Sequence, residues 1–474
     1  MLFPTIDFAV FFAIVFLASW LLTPFPRRWK PFMIVASYVF YGWWDWHFVV
    51  LLAAATAFAQ LGALAIHRTD SPTLRKAALW ATVAVELGLL GWFKYYDFFA
   101  VNVANVMHGM GIGAPLPLLQ VTLPVGISFF TFMALSYVID VYRRSLEPAS
   151  WLDFATYLSF FPHLVAGPIV RGSELLPQIR KRRDPRKVDF SRAAYLIFAG
   201  LFKKVVLSSF LATAIVDPVF NSPGQHSSLE IVVAIYGYAV QIYADFSGYT
   251  DIAIGVALLL GFKFPDNFDS PYTARTLQDF WRRWHMTLSR WLRDYLYIPL
   301  GGNRGSRLAT YRNVMITMVL GGLWHGAAWT FVMWGTIHGV GQVAGHWRRS
   351  RREARGLDPL PDTRWDRIAQ RVITFNVVCL AWVFFRSDSF STALTLLRRL
   401  FTAWGPAPQV TPLVLLAIAV GIGAQYVPHD VVDRVRVAFS RLRPAGQGAV
   451  LAITLFGITT LGPQGVAPFI YYRF

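Results

Sequence analysis

The chain has 474 residues, 55% of them hydrophobic, with 18 Trp and a mean hydropathy of +0.45, which leaves too little polar surface for a soluble core of this size and marks a polytopic membrane protein. Its 44 Lys and Arg against 26 Asp and Glu give a net charge of +18, but the cations fall in short clusters between apolar stretches, so they read as topology signals and not as a nucleic-acid footprint. The single cysteine, Cys379 in NVVCLAWVFF, excludes an intramolecular disulfide and a cysteine metal cluster.

The first apolar run, MLFPTIDFAVFFAIVFLASWLLTP, has no basic residue ahead of it and no small-residue cleavage site, so it is expected to remain as a first helix. Arg27, Arg28 and Lys30 follow, then apolar stretches near 31–44 and 46–66, then a second basic cluster at 67–76. Under the positive-inside rule both clusters are cytoplasmic, and the N-terminus lies outside. Residues 77–121 hold a further helix pair around Glu86, Lys94 and Asp97 and end in the loop GMGIGAPLPLL. LPVGISFFTFMALSYVIDVYRR then runs to an inner end at Arg143 and Arg144.

In DFATYLSFFPHLVAGPIVRGSELLPQIRKRRDPRK, Pro162, Gly167 and Pro168 interrupt a regular helix on either side of His163. Broken backbone at membrane depth is tolerated only against protein or a water-filled cavity, so this segment is expected to line a cavity. The basic run at 180–187 is expected to be solvated on the cytoplasmic side, against anionic membrane lipid. Residues 191–215 and 229–262 read as spans. The second carries Asp245, Ser247 and Asp251 in AVQIYADFSGYTDIAIGVALLLGF, two carboxylates in apolar surroundings. They are expected to pair with the arginines of the 276–294 segment, and no His or Cys accompanies them at metal-ligand spacing.

That segment, LQDFWRRWHMTLSRWLRDYLYIPLGGNRG, repeats Leu277, Trp281, Trp284 and Leu288 at helical spacing, with most of its arginines off that face. It predicts an amphipathic helix at an interface or re-entering the protein, with His285 turned to the buried side and Trp281, Trp284 and Asn303 in support. The following run, NVMITMVLGGLWHGAAWTFVMWGTIHGV, belongs to a stretch with no formal charge between Arg312 and Arg348. Gly321, Gly322 and Gly326 flank Trp324 and His325 there, so a backbone or a narrow substrate has room to approach the imidazole. A lone histidine in an apolar helix is often a satisfied structural hydrogen bond, but an ionisable side chain at membrane depth points to function.

After the basic loop RRSRREARG the chain crosses with TFNVVCLAWVFFRS, and apolar stretches recur near 412–427 and 448–462. Arg434, Arg436, Arg441 and Arg443 mark a last cytoplasmic loop, and one more crossing puts PFIYYRF outside. The fold expected is all-α and polytopic, with about eleven to thirteen membrane segments and re-entrant or interfacial helices around a central tunnel.

The motifs LPVGISFFTF, FFPHLVAGPIVR, DFSGYTDIAIG, FPDNFDSPY, FWRRWHMTLSRWLRDYLYIPLGGNRG and LGGLWHGAAWTFVMWG, in this order over about half the chain, closely resemble the membrane-bound O-acyltransferase family, in its bacterial alginate O-acetylase-like branch. The resemblance implies one domain over 1–474, with N-terminal helices to 121, a motif-bearing core over 122–345, and C-terminal helices and tail over 346–474. It implies a bacterial inner-membrane protein that passes an acyl group, usually acetyl, outward from a cytoplasmic donor. The family's catalytic histidine falls on His325 in LWHG, and its second polar position, His or Asn, on His285. The branch also implies a separate extracytoplasmic partner with a hydrolase-like Ser-His-Asp site and an exported polysaccharide such as alginate as acceptor. The terminal FIYYRF looks like a Phe-x-Tyr-x-x-Phe ending that selects Tyr471 as an acyl relay, although an aromatic interface anchor has the same composition.

Acyl transfer from a thioester to a hydroxyl needs a base for the hydroxyl proton and donors for the developing oxyanion. Desolvation keeps a buried imidazole neutral, which suits a base, and that role is expected of His325. His285 is left with three options: orienting the acceptor, sharing the proton or donating to the carbonyl oxygen. Acetyl-CoA is the expected donor, with no resident cofactor and no metal. D-alanyl transfer to teichoic acid, and a non-enzymatic transporter, are the competing readings.

Overall fold

The computed structural model describes residues 1–112 and 123–462; Tyr471 and the terminal motif around it lie outside the described residues. Among the described residues every regular element is helical. Six helices among the described residues are long and apolar enough to cross a membrane: His47–Arg68, Pro72–Gly109, Phe190–Asn221, Ser228–Leu259, Arg364–Arg386 and Pro444–Leu461. About 20 helical residues match a hydrocarbon core roughly 30 Å thick, which is why apolar runs of this length read as spans. Pro412–Tyr426 and His429–Ser440, which meet at a 92° bend, supply a seventh crossing if they form one broken span. Ile6–Leu21 and Ile127–Tyr142 are shorter apolar helices. The chain is an all-α, multi-pass membrane protein, as its composition implied.

Contacts divide the chain into two compact units, Met1–Ala193 with Ala253–Pro265, and Ala194–Ile252 with Asp266–Phe474. In the first, the break expected at Pro162 is a single turn, Phe161–Leu164, with proline at its start, where the missing N–H costs no bond. Gly126 sits against this turn at φ 80, and a Cβ there would lie 2.5 Å from the Leu164 carbonyl oxygen, so only glycine fits. His163 is fully buried. Its Nε2–H donates to the Tyr157 carbonyl at 2.9 Å, and its ring stacks on Phe264 with centroids 5.4 Å apart.

The basic run at 180–187 is not uniformly solvated. Arg183 turns inward, donating to the Leu260 carbonyl at 2.7 Å and to Ser19 Oγ at 3.0 Å, with its guanidinium 4.3 Å from the Trp29 ring. Hydrogen bonds and an aromatic face take the place of water around this cation.

In the second unit, the Phe190–Asn221 helix widens into π-turns at Phe202–Ser208 and Ala212–Val216. The first carries Lys203 and Lys204, which meet Asp251 and Asp245 of the Ser228–Leu259 helix. The ion pairs of the two carboxylates are therefore made with adjacent lysines on a neighbouring span, where arginines of the 276–294 segment were expected. The Arg307–His325 and Trp329–Glu353 helices approach to backbone contact. A Cβ on Gly322 would fall 2.3 Å from the Phe331 carbonyl oxygen, and one on Gly335 2.3 Å from that of Met318.

Candidate active site

The expected continuous helix through His285 is in fact two helices, Leu277–Arg283 and Met286–Leu292, each of seven residues and too short to span. Thr276 caps the first, its hydroxyl accepting from the Asp279 N–H at 3.0 Å. The chain then extends at Trp284 and turns left-handed at His285, with φ 42 and ψ 55. For a residue with a Cβ this conformation costs about 1–3 kcal/mol and persists only where the surroundings fix it.

Asn267 is what fixes it. Its main-chain carbonyl accepts the Met286 N–H at 2.9 Å. Its side-chain Oδ1 accepts the Thr287 N–H at 3.1 Å and the Thr287 hydroxyl at 2.8 Å, and lies 3.2 Å from His285 Nδ1. His285 is fully buried, with the Phe246 ring edge-on at 4.7 Å. Burial pushes its pKa down to about 3, so the imidazole is neutral at pH 7. Periodicity held no sign of this break, because the apolar face continues across it; Asn267 in FPDNFDSPY carries the signal, eighteen positions upstream.

His325 ends the Arg307–His325 helix. It is 2% exposed, with the rings of Trp334 and Phe385 edge-on at 4.9 and 5.3 Å. Trp324 touches both imidazoles, 6.1 Å from His285 and 5.0 Å from His325 between centroids. The structure thus brings the two histidines together against Trp324. The glycines around His325 serve protein packing: Gly322 admits the Phe331 carbonyl, and Gly326 lies where a Cβ would be 2.1 Å from the Phe331 ring.

A third buried imidazole, His338, belongs to the same cluster and was not singled out from the sequence. It is fully buried, stacked on Phe280 at 5.9 Å and edge-on to Trp334 at 4.8 Å. Its Nδ1 accepts the Trp281 indole N–H at 3.3 Å, which places its own proton on Nε2. The signal was present in WGTIHGV: an ionisable group in the same uncharged run, flanked by Gly335 and Gly339. Trp284 fills the floor, stacked on Phe280 at 5.6 Å and 5.1 Å from Trp382.

The remaining expected positions have surroundings of their own. Asp245, Ser247 and Asp251 form the lysine cluster of the two spans, with Lys203 Nζ donating to Ser247 Oγ at 3.1 Å. Asn303 is exposed in the turn before Arg307. His163 belongs to the first unit. Beside the cluster opens a cavity of about 520 Å³ whose wall includes Trp281, Met286, Arg282, Arg290, Arg293 and Arg349. Trp281 is thus shared between His338 and the cavity, and Met286 follows His285 directly. Such a wall offers guanidinium groups to an anionic ligand over an apolar floor.

Residues 74–360 match the family model described as MBOAT, membrane-bound O-acyltransferase family. A probable alginate O-acetylase of Azotobacter vinelandii is 39% identical over 85% of this chain and 78% of its own length. A peptidoglycan O-acetyltransferase of Helicobacter pylori is 37% identical over 79% of this chain and 73% of its own. A teichoic acid D-alanyltransferase of Streptococcus thermophilus is 31% identical over 55% of this chain and 68% of its own.

Proposed function

Because this chain belongs to the membrane-bound O-acyltransferase family and is an acyltransferase of the alginate O-acetylase-like branch, we propose that it passes an acetyl group from a cytoplasmic donor toward the hydroxyls of an exported polysaccharide such as alginate. The observation that carries the reading is the pair of buried imidazoles, His285 and His325, set against one indole, Trp324. His325 takes the proton of the acceptor hydroxyl as its oxygen attacks the thioester carbonyl. The C–S bond then breaks and the leaving thiolate takes up that proton, which returns the imidazole to its neutral form.

Acetyl-CoA is the donor this reading favours, since the guanidinium-walled cavity next to Trp281 and Met286 suits a phosphorylated carrier. The protein resides in the bacterial inner membrane with both termini outside. Tyr471, or the serine of an extracytoplasmic hydrolase-like partner, receives the acetyl group before it reaches the sugar. The D-alanyltransferase relative supports a second reading, in which the same histidines move D-alanine to teichoic acid from a carrier protein.

Membrane vesicles carrying the wild type, His325→Ala or Tyr471→Phe, supplied with labelled acetyl-CoA and matched for protein level, test this. Loss of transfer by at least about a hundredfold in His325→Ala is expected from removal of a general base; transfer that survives unchanged ends the assignment. Label that moves only from a D-alanyl carrier selects the second reading. Arg282→Ala with Arg293→Ala is expected to raise KM for acetyl-CoA several-fold while leaving kcat near wild type, as loss of ground-state binding does.

A further inference from the structure

We propose that Asn267 is a positioning residue that locks His285 as the Nδ1–H tautomer, so that Nε2 meets the acceptor hydroxyl as a hydrogen-bond acceptor and does not donate to the carbonyl oxygen. The inference rests on the acyl-transfer reading for its role, but its geometry stands independently.

One group beside His285 has a fixed polarity. The Thr287 main-chain N–H can only donate, and it points at the Asn267 side chain at 3.1 Å. The amide must therefore turn its oxygen to that side, since its NH2 would set donor against donor. The same oxygen lies 3.2 Å from His285 Nδ1. An acceptor in that position requires Nδ1 to carry the proton, and a neutral imidazole with a proton on Nδ1 has its lone pair on Nε2.

The backbone adds a second constraint. The Asn267 carbonyl holds the Met286 N–H at 2.9 Å, so one residue grips both the ring of the left-handed His285 and the two backbone N–H groups that follow it. An imidazole oriented by a hydrogen bond at Nδ1 is the arrangement in which a third group directs a base. Here a neutral amide fills that place, setting direction and tautomer without adding charge. Of the three roles open to His285, orienting the hydroxyl and sharing its proton with His325 remain. Donation to the oxyanion is removed.

Solid-state NMR on full-length protein labelled with 15N-histidine reads the tautomer directly, with the His285 signals identified by their loss in His285→Asn. The expected result is a protonated Nδ1 and a bare Nε2 in the wild type, and a mixture of tautomers in Asn267→Ala. Acetyl transfer in Asn267→Ala should fall about 10- to 100-fold in kcat, the usual effect of removing an orienting partner, with KM for acetyl-CoA unchanged. A protonated Nε2 in the wild type, or an unaltered tautomer in Asn267→Ala, overturns the proposal. Where Asn267→Ala does not accumulate in membranes, Asn267→Asp decides: it keeps the acceptor and adds a charge, so the pH at which His285 titrates must rise, and a titration that stays in place counts against the lock. A wild type with the expected tautomer but no acetyl transfer from any thioester would remove the functional reading and leave the tautomer standing.

Discussion

The Trp281 indole N–H donates to His338 Nδ1 at 3.3 Å, tying the wall of the arginine-lined cavity to a fully buried imidazole. Trp281→Phe keeps a ring but leaves that nitrogen buried without its donor, a loss of about 1–3 kcal/mol. Steady-state transfer in Trp281→Phe, His338→Phe and the double variant measures the coupling. If the two side chains act as a unit, the double variant costs no more than His338→Phe alone; additive losses would show that each works independently.

The Gly322 and Gly335 contacts make a sharper structural prediction. Each glycine stands where a Cβ would come within 2.3 Å of a carbonyl oxygen on the facing helix, which cannot swing aside as a side chain can. Gly322→Ala should sharply reduce folded protein in membranes. Gly91→Ala on the Pro72–Gly109 helix, where nothing lies within 4 Å of the added methyl, should accumulate normally. Equal abundance of the two variants in a detergent-resistance assay would contradict the close approach.

The all-helical class, the multi-pass character and the burial of both histidines were legible because each rests on a local signal: a long apolar run, an ionisable group in an uncharged stretch, or an imidazole on the apolar face of an amphipathic one. The helix pair expected over 77–121 is instead, among the described residues, the single helix Pro72–Gly109. Three things were not local. The break at His285 depends on hydrogen bonds that Asn267 accepts, which the apolar spacing of 277–295 cannot reveal. The partners of Asp245 and Asp251 depend on which span packs beside them, and Lys203 and Lys204 sit in a helix whose π-turns leave no mark in hydrophobic periodicity. His338 was legible by the rule that found His325, since it lies in the same run.

The Lys204–Asp245 pair tests the lysine cluster. Its side chains are 2% and 3% exposed, so removing one partner strands the other charge away from water. Lys204→Met should lower stability by about 3–5 kcal/mol, whereas Lys204→Met with Asp245→Leu should recover most of that loss. Thermal unfolding in detergent, followed by intrinsic tryptophan fluorescence, reads the difference. A single variant as stable as the wild type would mean that water or another group already neutralises the aspartate.

The low pKa of His285 gives stability a definite pH dependence. The unfolded chain binds a proton on this ring near the ordinary value of 6.5, while burial holds the folded one down to about 3. Between those values the unfolded state carries more protons, so stability must rise with pH. The contribution is complete above about 6.5 and is lost progressively as pH falls toward 3. His285→Asn removes the titrating group, and asparagine also tolerates the left-handed conformation at φ 42. Tm measured between pH 7 and pH 5 should therefore fall less steeply in His285→Asn than in the wild type, and parallel slopes would mean that His285 titrates alike in the folded and unfolded chains.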